Sequence, residues 1–96
     1  MALLLKGGIM KKVSHELKAA ILEVVSNQLK SGDPPEARQT FNRLIEEGIS
    51  EEDAKIYIGQ AVTVEIFNIL KHGETFNRER YLKNLEGLPK EPWERY

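Results

Sequence analysis

The stretch that decides the fold runs from Asp33-Pro34-Pro35-Glu36 to Gly48-Ile49-Ser50-Glu51-Glu52-Asp53. It reads as a helix start, a helix stop and a second helix start. Asp33 can cap, and Pro34 suits the first helical position, where the missing N–H costs nothing. Glu36 stands where a capping box places its acid. Gly48 can take the left-handed conformation that closes a helix, and Ile49 can then fold back on Leu44 as in a Schellman motif. Ser50 opens the next helix, with Asp53 completing a second capping box. Three acids, Glu51, Glu52 and Asp53, suit the positive end of that helix, and Glu51 with Lys55 adds an i,i+4 pair. The spacing predicts a helix over 34–47 and another beginning at 51.

Working outward toward the N-terminus, Leu17, Ala20, Ile21, Val24, Val25 and Leu29 recur three and four residues apart behind Ser14. That is one apolar stripe on an amphipathic helix over about 14–30, with Lys18, Glu23, Asn27 and Lys30 opposite. Ser31-Gly32 ends it. The connection to Asp33 is so short that the second helix folds back beside the first.

The third helix, 51–72, differs from its neighbours. Ala54, Ile56, Tyr57, Ile58, Ala61, Val62, Val64, Ile66, Phe67, Ile69 and Leu70 cover nearly its whole circumference. A helix apolar all round is buried on most sides. Gly59 lies inside it, where glycine costs about 1 kcal/mol against alanine, and close approach of a neighbouring helix would justify it. His72-Gly73 closes this helix. Asn77 caps a short fourth helix holding Tyr81, Leu82 and Leu85, stopped by Gly87. Two prolines, Pro89 and Pro92, keep the remainder from being one continuous helix.

The expected architecture is therefore all-α: a single four-helix domain over 14–88 with a central apolar third helix. A flexible segment is expected at 1–13 and an irregular, proline-containing tail at 89–96. The apolar run Ala2-Leu3-Leu4-Leu5 stops at Lys6, short of a signal-peptide core, and Met10 offers an alternative start. No stretch approaches the ~18 apolar residues of a membrane span. With 96 residues, no cysteine and a net charge of -1, the chain has room for one core. It lacks disulfides and thiolate chemistry, and no bulk charge draws it to nucleic acid or to a membrane. A cytoplasmic location is expected.

Charge is nevertheless uneven. Residues 1–30 carry five lysines against two glutamates, whereas 31–60 carry seven acids against three basic residues. Five of those seven acids fall in helix first turns, which explains them without a ligand. The alternation of oxygen ligands in a calcium loop is missing. His15-Glu16 opens like HExxH, but Ala19 occupies the second histidine position, and His72 stands alone. Neither a metal nor another cofactor is expected. Ser14, Ser31 and Ser50 sit at helix boundaries, where capping accounts for them, and no nucleotide or nucleophile-elbow motif occurs. The protein is not expected to be an enzyme.

Two surfaces remain as candidates. The third helix has more apolar circumference than three short neighbours readily cover, which makes Ile56, Tyr57, Gly59, Val64 and Phe67 a candidate interface for a homodimer or another protein. The alternative is an accessory nucleic-acid contact through the basic N-terminus and Arg78, Arg80 and Lys83 of the fourth helix, although Glu79 can pair with Lys83.

Taken together, Asp33-Pro34-Pro35-Glu36, Arg43-Leu44 with Glu47-Gly48, Asp53-Ala54, Ile58-Gly59, Glu65-Ile66, and Phe76 with Tyr81, Leu85 and Leu88 form a pattern. Over about 14–90 it resembles a family of small all-helical prokaryotic proteins of unknown function. The resemblance implies a helical fold and supplies no activity. Such relatives can carry histidines near the start of the third helix. This chain has Glu51, Glu52 and Lys55 there, so no metal-binding role carries over.

Overall fold

The computed structural model describes residues 14–90 and Pro92. Four helices follow one another: α1 (His15–Ser31), α2 (Pro35–Glu46), α3 (Glu51–His72) and α4 (Arg78–Gly87). No strand occurs among the described residues. The all-α, four-helix architecture expected from the sequence is the one observed. The expected flexible segment 1–13, and Glu91 and 93–96 of the expected tail, lie outside the described residues.

Most helix ends follow the predicted chemistry. Ser14 Oγ accepts from the Leu17 amide at 3.1 Å, Ser50 Oγ from the Asp53 amide at 3.1 Å, and Asn77 Oδ1 from the Arg80 amide at 3.0 Å. After α2, the Ile49 amide reaches the Leu44 carbonyl and the Gly48 amide reaches that of Ile45, both at 3.0 Å. This is the double bond of a Schellman motif, and Gly48 has the positive φ it needs, +92°. Gly48→Val should destabilise the fold by about 1 kcal/mol or more, because a side chain is strained in the left-handed region. Urea denaturation checks this: equal midpoints at equal slope would mean the turn does not depend on glycine.

Two boundaries move. The second helix starts at Pro35, not Pro34, and Asp33 makes no side-chain cap to it. A residue before proline is pushed out of the helical region, so Pro34 is held extended (φ -75°, ψ 149°) by Pro35 and becomes the cap itself. The same rule ends α4. Gly87 is its last helical residue, and the stop falls on Leu88, extended in front of Pro89.

Helix α3 packs against each of the other three. Its Ile58, Ala61 and Val62 meet a core built from Ile21 and Val25 of α1, Ala37 and Leu44 of α2, and Tyr81 and Leu85 of α4. Past α4, Leu88 and Pro92 are buried, whereas Pro89 and Lys90 are exposed. Helix α2 has a second task. Arg38 donates to the Leu29 and Lys30 carbonyls at the end of α1. Arg43 donates to the Leu85 and Leu88 carbonyls at 3.1 and 2.7 Å at the end of α4. A guanidinium satisfies carbonyls that a helix C-terminus leaves open and complements their negative potential.

Candidate functional site

Two regions differ from an ordinary apolar core. The first is the join between α3 and α4. Glu65, on α3, is 1% exposed, and a carboxylate removed from water needs compensation. Arg80 supplies it in the two-pronged manner of guanidinium and carboxylate: Nε to Oε2 at 2.7 Å and Nη2 to Oε1 at 3.1 Å. The Asn77 amide adds a third bond to Oε1 at 2.9 Å, so the residue that caps α4 also fixes Glu65. At the outer edge, Arg80 meets Glu74 at 3.3 Å. The Glu65 hydrogen bonds, reinforced by its charge, hold the Arg80 guanidinium pKa above its ordinary value.

This geometry revises the basic trio. Arg80 is an internal tie between helices, and its donors are committed to Glu65 and Glu74. Arg78 stands 3.8 Å from Glu36 of α2, and Lys83 is exposed one turn further along. The three therefore do not make one basic face: the best-placed cation faces the protein interior. Sequence spacing could not show this, because Glu65 and Arg80 lie in different helices. A lone acid inside an otherwise apolar helix is the signal that asks for a partner.

The second region is the C-terminal half of α3. Gly59 is buried within the bundle, together with Ile58 and Gln60 to Thr63, so it cannot meet a partner protein and is removed from the candidate interface. Ile56 and Tyr57 are half-buried and pack on the core, and Val64 is half-buried as well. Phe67 is exposed. Also exposed are Ile69 and Leu70, the latter 73% exposed, and, beyond the helix, Phe76 at 48%. At 3.6 residues per turn Ile66, Phe67, Ile69 and Leu70 fall on one continuous arc. Phe76 stands edge-on to Tyr81, ring centroids 5.4 Å apart, which fixes it beside the base of α4. An exposed aromatic offers about 200 Å² at most, so Phe67, Ile69 and Leu70 on α3 present apolar surface on the order of 10² Å².

Among the described residues no helix is long and apolar enough to cross a membrane. Also among them, no group of three or more His, Cys, Asp or Glu is placed to hold a metal ion. No family model, no curated protein and no solved structure matches this chain.

Proposed function

We propose that this protein acts through contacts with other proteins, and that it self-associates as a homodimer through the C-terminal half of α3. The observation that carries the reading is the apolar arc of Phe67, Ile69 and Leu70, left open to water although Ile58 to Thr63 on the same helix are buried. Water-exposed apolar surface of this extent marks contact sites on small proteins. A stable interface takes about 800 Å² from each partner, so the arc supplies the centre of such a contact and neighbouring polar residues its rim. Burial is worth about 25 cal/mol per Å² before the costs of association are subtracted, and self-association is expected at micromolar concentration. The reading involves no catalysis and no cofactor. The cysteine-free sequence suits a reducing cytoplasm.

Light scattering coupled to size exclusion, across a concentration series, tests this directly. A rise from monomer toward dimer mass is expected, and Leu70→Glu should return it to monomer. A monomeric mass at every concentration would eliminate the homodimer. If side-chain labelling also found Phe67 and Leu70 protected in that monomer, the wider interaction role would fall as well.

A further inference from the structure

Helices α2 and α4 lie side by side in the same direction: Glu36 and Arg78 meet near their starts, and Arg43 reaches the Leu85 and Leu88 carbonyls near their ends. Between them runs a groove of about 480 Å³, its lining apolar at Leu82 and Leu85 and acidic at Glu36 and Glu86. The cation in its wall, Arg43, is committed to those carbonyls and to Glu47. Glu86 is exposed, with no opposite charge paired to it among the described residues. The apolar arc of α3 carries the opposite sign along its rim. Lys71 follows Phe67 by four residues and His72 follows Ile69 by three, so each arc residue has a basic side chain on its own helix face. Both basic residues are exposed, and the next acid along the chain, Glu74, is held by Arg80.

We propose that the arc of one copy docks into the α2–α4 groove of a second, Phe67 and Leu70 against Leu82 and Leu85 and Lys71 toward Glu86, and that the dimer makes this contact twice. The proposal rests on the self-association argued above and names the surface that the arc meets. Charge favours the groove. An arc set against another arc gathers two Lys71 ammoniums into one small interface, with Glu74 already committed to Arg80. The groove instead offers Glu36 and Glu86, and opposite charges across a contact fix its register and exclude wrong pairings. Area favours it too. The arc amounts to about 10² Å², whereas a stable interface takes about 800 Å² from each partner. Pairing arc with arc buries one such surface on each copy. Pairing arc with groove about a two-fold axis buries two, because each copy gives both. Made only once, a contact between unlike surfaces would leave an arc and a groove open and would propagate; made twice, it closes.

Lys71 and Glu86 are both exposed, so reversing either charge spares the core, and far-UV circular dichroism should match that of wild type. Sedimentation equilibrium on the full chain gives the dimer Kd. Lys71→Glu and Glu86→Lys should each raise it about tenfold or more, because each sets like charges together at both contacts. Mixed in equal amounts, the two variants should associate near the wild-type Kd, since every contact between them then joins opposite charges. The double variant carrying both reversals should do the same by itself. Either single variant dimerising as wild type does overturns the groove contact and leaves the α3 dimer standing. A mixture no tighter than its components overturns it as well, and so do wild-type masses that climb past the dimer. A wild type that stays monomeric at every concentration removes the self-association itself, and this contact with it.

Discussion

Replacing Arg80 by alanine should cost about 3–5 kcal/mol of unfolding free energy, the range for stranding a buried charge by removing its partner. The stranded group is Glu65, which keeps only the Asn77 amide once the guanidinium is gone. Arg80 itself is 24% exposed on its side chain, so some water reaches the pair and the lower end of the range is expected. Replacing both residues, Glu65→Leu with Arg80→Met, should cost far less than Arg80→Ala, since an apolar pair asks for no compensation. Urea midpoints for the three variants are the measurement. An Arg80→Ala midpoint equal to that of wild type would show that the pair contributes nothing to holding α4 on α3.

Tyr81→Ala should be comparably severe, about 3–5 kcal/mol, from the cavity that a large buried ring leaves behind. Tyr81 is 1% exposed, and its hydroxyl donates to Gln28 Oε1 at 2.5 Å, joining α4 to α1. Tyr81→Phe separates ring from hydroxyl. It keeps the packing and should lose about 1 kcal/mol, the net worth of one hydrogen bond. The two variants also differ from wild type at high pH. Burial raises the phenol pKa above its ordinary value, so the folded state keeps the proton longer than the unfolded one. Wild-type stability should therefore be fully present below about pH 10, where an unfolded tyrosine titrates, and decline above it. Tyr81→Phe should lose less over that alkaline range. Thermal melts from neutral pH upward would show it, and identical alkaline limbs would mean that Tyr81 does not govern them.

Local chemistry carried the sequence reading, and non-local chemistry defeated it. Ser50, Gly48 and Asn77 act on neighbours three to five residues away, so their roles as caps and stops were visible in the chain order. The errors at Pro34 and Gly87 were also local, each arising where a following proline outranked the residue credited with the boundary. The face of its own helix assigns Arg80 to solvent or phosphate, whereas its partner stands fifteen residues earlier on another helix. For α3, periodicity correctly implied burial on most sides. It could not say where the cover runs out, because that depends on the lengths and positions of the neighbouring helices. Periodicity therefore gives Gly59 as a contact residue although it is enclosed, and does not single out the exposed Leu70.

The paired use of Arg38 and Arg43 has a consequence for how the bundle opens. Both arginines belong to α2, yet each completes the last turn of a different helix. Lifting α2 away would leave the carbonyls at the ends of α1 and α4 without those donors at the same moment. Separate fraying of the two ends is thereby discouraged, and the final turns of α1 and α4 become one cooperative unit with α2. In amide hydrogen exchange, the protection of those two distant turns should rise and fall together, set by the opening free energy of the helix between them.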